Sequence, residues 1–354
     1  MNSAAAAFAG VGTTRLALVM VSVLAGWGGL ALWYQVPGGR IRKSVSVTAW
    51  AALSGAMLIA LWQSCLVLGL LGFTVAFAAL LGWWHRLVPS NDRVWADDVA
   101  EMTTGTVEGS RVTLHNVRNF DWRSDSDYTR RWESRSYDLE SLDCVDMILS
   151  YWSNQAIAHV LISFGFNNGE HVVFSVEIRR RKGDGFSEIG GFFKEFELSV
   201  IAADERDVIR VRANIRAEDD YLYRIRLPVP AMRSLFLAYV DQANRLVVAP
   251  RFYNTLSVNC TTLVYHMVKH IVGYLPWDYR LLLSGYLPAY VYRIGGLDTR
   301  YTLKQLRAFG RITERAKKSG RSATYSADIR QGVPRVEARE LAERAAPASS
   351  RHSA

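Results

Sequence analysis

Two long apolar runs near the N-terminus constrain the fold of this chain more than any other feature of its sequence. From Leu16 to Tyr34 only small or apolar side chains occur, and from Val47 to Trp84 the run is broken only by Gln63, Ser64 and scattered hydroxyls. A helix needs about 20 apolar residues to cross the hydrocarbon core of a bilayer, so the first run fits one crossing and the second fits two. Three transmembrane helices are expected, with the break in the second run near Gln63-Ser64 and the Trp83-Trp84 pair at the aromatic interface that ends a span. No basic region and small-residue cleavage site frame the first run, and two more spans follow it, so a cleaved signal peptide is not expected. Orientation stays open on the residues alone. Arg40, Arg42 and Lys43 after the first span, against Arg15 before it, place that connection in the cytoplasm, and with three spans the following domain as well; a single crossing by the second run would put the domain outside.

The remaining composition sorts the chain into a membrane domain over 1–89, a globular domain over 90–333 and a charged tail over 334–354, rich in Ala, Ser and Arg and expected to be disordered at its end. The three cysteines imply no disulfide framework, since Cys65 lies in a span and Cys144 in the apolar-leaning "LDCVDMILSYW". A net charge of +9 suits a domain beside anionic phospholipid headgroups. Nucleic acid is not an expected partner, because no helix-turn-helix, zinc finger or RNA-binding aromatic signature is found. No cofactor and no metal are expected.

Within the globular part, "RVTLHNVRNFDW" alternates like a strand and the charged stretch from Arg123 to Arg135 reads as a loop. Residues 155–164 and 171–179 are rich in β-branched and aromatic side chains and flank "NNG", which reads as a hairpin. Further strands are expected at "VIRVRANIR", where Arg210, Arg212, Asn214 and Arg216 alternate with Ile209, Val211 and Ile215, and at "YLYRIRL". A helix follows Pro230 with Met232, Leu235, Phe236, Tyr239, Val240 and Ala243 on one face. Another is expected from Cys260, burying Leu263, Val264, Met267, Val268 and Ile271.

The stretch "FYNTLSVNCTTLVYHM" sets Cys260 between small polar residues at a strand-to-helix turn. A cysteine at a helix N-terminus lies beside unpaired amides and the positive end of the helix dipole, and both favour the thiolate. Such a nucleophile requires a base. Of the seven histidines, His159 stands out because it interrupts an apolar strand and so needs a buried partner. If the hairpin turns through Asn167, Asn168 and Gly169, with the glycine left-handed, Phe166 pairs with Glu170 and His159 lies opposite Glu177. Glu177 would then orient the imidazole as the third member of a nucleophile, base and orienter set. Taken singly, Cys260 reads equally as a small buried side chain and His159 with Glu177 as a structural ion pair. The backbone N–H of Cys260, together with Asn259 and Tyr253, are candidate substrate-binding or oxyanion groups.

Two other features compete for a function. His266 and His270 are four apart on one helix face, as zinc ligands are, but Met267 stands where the metalloprotease motif has its glutamate, so a solvated basic face is expected instead. The run "RRRKGDG" reads as an exposed strand end and turn; its functional reading is contact with lipid phosphates, with Arg179, Arg180, Arg210 and Arg212 as the candidate residues.

The motifs "HNVRNFDW", "YDLESLDCVDMILSYW", "AHVLISFGF", "FSVEIRR", "ADERDVIRVRANIR" and "FYNTLSVNCTT" resemble the bacterial family of the Lnb N-terminal periplasmic domain, over about residues 90–310. The order of His159, Glu177 and Cys260 is also similar to that of a circularly permuted papain-like fold, as in the lecithin:retinol acyltransferase relatives of NlpC-type peptidases. There the base lies on one strand, its polar partner on the next and the nucleophile on a later helix within an "NC" pair, here Asn259-Cys260. Those relatives often carry a second histidine where this chain has Glu177, and they lack the long insertion before the cysteine. The fold class implied is α+β: transmembrane helices followed by a papain-type domain with an antiparallel sheet and packed helices.

The resemblance implies a bacterial inner-membrane, multi-pass protein with a periplasmic domain. The activity it implies is a thiol acyltransferase that moves an acyl chain from a phospholipid, through a Cys260 thioester, to an amine such as a lipoprotein N-terminus. A Cys-His amidase or peptidase acting on cell-envelope peptides would use the same residues, and a non-catalytic envelope scaffold would use only the arginine-rich face.

Overall fold

In the computed structural model of the protein, residues 2–63 and 65–335 are described. Ser64 and the tail from 336 onward lie outside them, and with that tail most of the segment expected to be disordered. The described residues fall into two compact units, one running to Ser90 and including Ser187–Phe196, the other comprising Asn91–Phe186 and the residues from Glu197. The first unit thus takes in ten residues that composition assigns to the globular domain.

The apolar runs form α1 (Asn2–Gln35), α2 (Arg40–Trp62) and α3 (Leu66–His85). Gly12–Gln35, Arg40–Trp62 and Leu66–His85 are each long and apolar enough to cross a membrane. Small residues let these helices approach closely: a side chain at Gly28 would begin 2.7 Å from the Trp50 ring, whose indole N–H donates to the Ala25 carbonyl at 2.8 Å. The Ser187–Phe196 segment is tied to the same unit. Phe193 stacks on Tyr34 with centroids 5.6 Å apart, Gln35 Nε2 donates to the Phe193 carbonyl at 2.6 Å, and Lys194 Nζ donates to the Trp84 carbonyl at 2.8 Å.

The second unit is built on strands β1 (Thr104–Glu108), β2 (Arg111–Arg118), β3 (Asp121–Trp122), β4 (Tyr128–Thr129), β5 (Trp132–Asp138), β6 (Leu142–Tyr151), β7 (His159–Phe166), β8 (His171–Arg179), β9 (Glu197–Ala203) and β10 (Asp219–Arg224). Eight of them make a mixed sheet in the order β1-β2-β9-β8-β7-β6-β10, with β5 on β2, while β3 and β4 pair separately. All pairings are antiparallel except a short parallel contact of β2 with β9. Helices cover both faces: α4 (Glu205–Arg210), α5 (Val229–Val248), α6 (Thr262–Val272), α7 (Leu287–Arg293), α8 (Leu303–Gly310), α9 (Thr313–Ser319) and α10 (Tyr325–Ile329). Val160, Ile162, Phe164, Phe174 and Val176 pack with Phe236 and Tyr239 of α5 and with Leu263 and Met267 of α6. On the opposite face Ile148, Leu161 and Val173 pack with Val208, Ala316 and Tyr325. Burial on both faces explains why β6 to β9 read as near-continuous apolar runs rather than alternating ones.

The hairpin expected around "NNG" is present. Phe166 N–H donates to the Glu170 carbonyl at 3.0 Å, Gly169 N–H to the Phe166 carbonyl at 2.9 Å, and Gly169 takes φ +84°, the left-handed conformation that favours glycine. Its first strand starts at His159 rather than at residue 155. The stripe expected on α6 is also found, with Leu263 and Met267 buried and Val264, Val268 and Ile271 packed partly exposed against the same core.

Two expectations are corrected. The charged stretch 123–135 is not all loop, since β4 and the start of β5 lie in it; Arg135 is paired with Glu133 at 2.6 Å and Asp204 at 2.9 Å, which satisfies its charge within a strand. The segment "VIRVRANIR" is helical, not extended: α4 runs into a π-helical turn over Val211–Ile215. Asp204 caps it by accepting the Arg206 N–H at 2.9 Å. The two-residue alternation misleads because the arginines are not a solvent face. Arg210 and Arg212 are each 8% exposed, and Val208 and Ala213 are fully buried beside them.

Candidate active site

The site is assembled at the end of the β7–β8 hairpin. Their ladder runs from Gly165 opposite His171 to Leu161 opposite Ser175 and stops there. Two residues further, the same register sets His159 opposite Glu177, and both side chains share the face that carries Ser175. Because Phe166 N–H points toward β8, so do the other even-numbered amides of β7. Val160 N–H, beyond the last ladder pair, lies close enough to the Cys260 sulfur to favour its thiolate.

Cys260 arrives from the other direction, on the turn that leads into α6. It lies two residues ahead of the first helical position rather than on it. Asn259 fixes that turn: its Oδ1 accepts the N–H of Thr261 and of Thr262, both at 2.8 Å, and its Nδ2 donates to the Thr255 carbonyl at 2.6 Å. The amide expected to bind substrate or an oxyanion is therefore spent on holding the backbone. Cys260 is 8% exposed, and its thiol interacts electrostatically with the His159 ring.

On the far side of that ring, Nε2 is 2.7 Å from Ser175 Oγ and 3.2 Å from Glu177 Oε1. Ser175 Oγ donates to Glu177 Oε1 at 2.7 Å. Since an ionised carboxylate only accepts, the hydroxyl proton is committed to Glu177 and Ser175 must accept from His159, so Nε2 carries a proton. Nδ1 is left to exchange a proton with the thiol. Sequence reasoning missed Ser175, although it lies two residues before Glu177 on the same face of β8.

A second layer holds the acid. Arg212 Nη2 donates to Glu177 Oε1 at 3.2 Å and Nη1 to Glu218 Oε2 at 3.4 Å, and Glu218 accepts in addition from Ser150. Arg212 is thus part of this site and not a lipid-phosphate ligand. The other three arginines of that expectation are engaged as well. Arg179 is buried on the Trp95 ring and donates to the carbonyls of Val99 and Ala100, Arg180 holds both oxygens of Asp98 at 3.0 Å, and Arg210 donates to the Trp122 carbonyl at 2.8 Å. These guanidiniums are taken up by carboxylates and carbonyls of the same unit, while Arg181 and Lys182 are exposed, as expected of a strand end and turn.

Electrostatics favour an ionised thiol and imidazole. Burial alone would lower the His159 pKa, but the Glu177 charge outweighs it and, with hydrogen bonds from Cys260 and Glu177, lifts the ring to about 9 despite Arg212. Burial alone would raise the Cys260 thiol, and the hydrogen bond and charge of His159, the Val160 N–H and Thr261 bring it below the usual thiol range. Burial raises the Tyr253 hydroxyl well above the usual phenol range, as do the charges of Cys260 and Glu177. It therefore remains a protonated O–H within electrostatic reach of the sulfur. By contrast, burial pushes Cys144 up to about 12, and its thiol stays protonated. His266 and His270 are exposed on α6, and among the described residues no group of three metal-ligating side chains is found.

A thiolate poised beside an oriented imidazolium is the arrangement that attacks carbonyl carbon in cysteine-dependent acyl transfer and hydrolysis. Residues 128–285 match the family described as the Lnb N-terminal periplasmic domain. The match spans His159, Ser175, Glu177, Arg212, Tyr253 and Cys260. No curated protein and no solved structure matches the chain. Three candidate spans and a domain of this family make it a membrane-associated envelope protein.

Proposed function

We propose that the protein is a membrane-bound thiol acyltransferase with its globular domain on the periplasmic side of the inner membrane. The observation that carries the reading is the convergence of Cys260, His159 and the Ser175–Glu177 pair in one buried cluster. The order of base strand, acid strand and nucleophile turn also supports kinship with circularly permuted papain-like enzymes of the NlpC type.

In this reading the Cys260 thiolate attacks the ester carbonyl carbon of a phospholipid, and the oxyanion that forms accepts from Tyr253 O–H. The tetrahedral adduct collapses with cleavage of the ester C–O bond. The leaving glycerol oxygen takes the proton from His159 Nδ1, which leaves a thioester, a lysophospholipid and a neutral imidazole. An amine, such as the N-terminus of a lipoprotein, then attacks the thioester carbon and gives a proton to Nδ1. Cleavage of the C–S bond regenerates the thiolate and imidazolium and releases an amide. Glu177, held by Arg212, stabilises the imidazolium in both halves.

The test is incubation of the purified full chain with phospholipid carrying a labelled acyl chain, followed by trapping of a hydroxylamine-sensitive adduct. Labelling of wild type and its loss in Cys260→Ala is expected. Cleavage of envelope peptides by wild type without any lipid-derived adduct would replace transfer by the amidase reading, and full lipoprotein acylation by Cys260→Ala would remove both.

A further inference from the structure

Beside the nucleophile lies an apolar cavity of about 330 Å³, within the size range of ligand pockets, roughly 300–1,000 Å³. We propose that it holds the acyl chain of the Cys260 thioester, an assignment that rests on the acyl-transfer reading above. At its inner end the wall includes Val160, which follows His159 in the chain, and Thr261, which follows Cys260. The carbonyl carbon of a thioester would therefore stand at this end, with its chain running through the cavity toward the other. Val145, Met147, Ile162, Leu281 and Leu287 form buried wall. Toward the other end the lining becomes exposed, with Val272 44%, Tyr274 80% and Ile294 36% accessible. These residues mark the mouth.

The chemistry of the lining selects a hydrocarbon. Tyr265 and Tyr290 both line the cavity, but their hydroxyls donate to the carbonyls of Leu275 and Pro276, each at 2.9 Å, so the rings present apolar surface. The Arg226 N–H is bonded to the Gly296 carbonyl at 2.8 Å, and its charge acts on Asp298. A peptide in this space would bury amides without partners, whereas an alkyl chain has none to satisfy. At about 30 Å³ per water-sized group the cavity takes roughly ten of them, which holds the first part of a long acyl chain with its end at the mouth and exceeds the needs of a short one. Trp277 and Tyr279, exposed next to the mouth in sequence, are residue types that rest at a bilayer interface, so the open end is flanked by surface that suits lipid.

Two wedges test the assignment, Val268→Trp in the wall and Ile294→Trp at the exposed mouth, where a bulky side chain threatens folding less. Thioester formation is read with phospholipids bearing matched palmitoyl and butanoyl chains, and binding is read separately with a fluorescent fatty-acyl probe in a Cys260→Ala background. Each wedge is expected to shift the palmitoyl-to-butanoyl ratio at least tenfold toward the short chain and to weaken probe binding by a similar factor. Wedged protein that keeps its circular dichroism, its chain-length ratio and its probe binding would overturn the proposal. Probe binding that the wedges weaken, in a protein whose wild type forms no thioester, would uphold the cavity and defeat the acyl-transfer reading instead.

Discussion

At the scale of single residues, the site turns on the mutual ionisation of Cys260 and His159. With the thiol below its usual range and the ring raised to about 9, both are charged near neutral pH. Iodoacetamide should therefore alkylate Cys260 rapidly already at pH 6–7, whereas an ordinary thiol is only a few per cent thiolate at pH 7. Replacing His159 by Ala leaves only the Val160 N–H and Thr261 to oppose burial at the sulfur, and its alkylation at pH 7 should fall by about tenfold or more; an unchanged rate would mean that the ring does not ionise the thiol. The same groups fix a window of stability. His159 is raised on folding, so its contribution is complete below about pH 6.5 and is lost as pH rises through about 9. Glu177 is lowered, against burial and chiefly by the His159 charge, so its contribution is present above about pH 4.5 and is lost as pH falls below that. The three principal residues were legible because a histidine in an apolar strand, a glutamate in countable register and a cysteine before a helix each leave a local mark. Arg212 was not, because its partners Glu177 and Glu218 come from different elements, and nothing in "VIRVRANIR" tells a buried arginine from an exposed one.

At the scale of elements, the turn before α6 sets the position of the sulfur. Asn259 takes two backbone amides of that turn on one oxygen, so Asn259→Ala should cost about 0.5–2 kcal/mol, as loss of a helix-capping side chain does. Its effect on Cys260 alkylation should exceed what the stability loss predicts, because the freed turn no longer aims the sulfur at His159. Asn259→Asp keeps both acceptors and should restore most of the stability. Equal destabilisation by the two variants in thermal melts would show that the amide oxygen is not what holds the turn. Local chemistry of this kind also explains which elements could be read in advance. The β7–β8 hairpin carries its own turn signal in Asn167-Asn168-Gly169, and α5 carries a proline at its start. Strand β5 has neither; the β3–β4 hairpin separates it from its partner β2, and its Arg135 is neutralised in part by Asp204 from just beyond β9. The helix at Glu205–Arg210 depends on burial on all sides, which erases the one-sided pattern that periodicity detects.

At the scale of the whole molecule, the proposed chemistry depends on the side of the membrane to which the domain is delivered. Three crossings put the domain opposite the N-terminus. If it is periplasmic, as the family description has it, the connection bearing Arg40, Arg42 and Lys43 lies on the periplasmic side too, against the usual bias of basic residues toward the cytoplasm. That bias is a preference summed over short flanks, and here it rests on three basic residues against Arg15. A phosphatase that folds only in the periplasm, fused after Ser90, should accordingly be active, and a fluorescent protein that matures only in the cytoplasm should be dark at the same site. Exchanging Arg40, Arg42 and Lys43 for Gln removes the opposing charge and should leave the phosphatase signal equal or higher. A bright cytoplasmic fusion, with the phosphatase signal appearing only when the three basic residues are removed, would put Cys260 on the cytoplasmic side. Lipoprotein amines presented in the periplasm could then not be its acceptors, and the acyl group would have to pass to a cytoplasmic amine or to water.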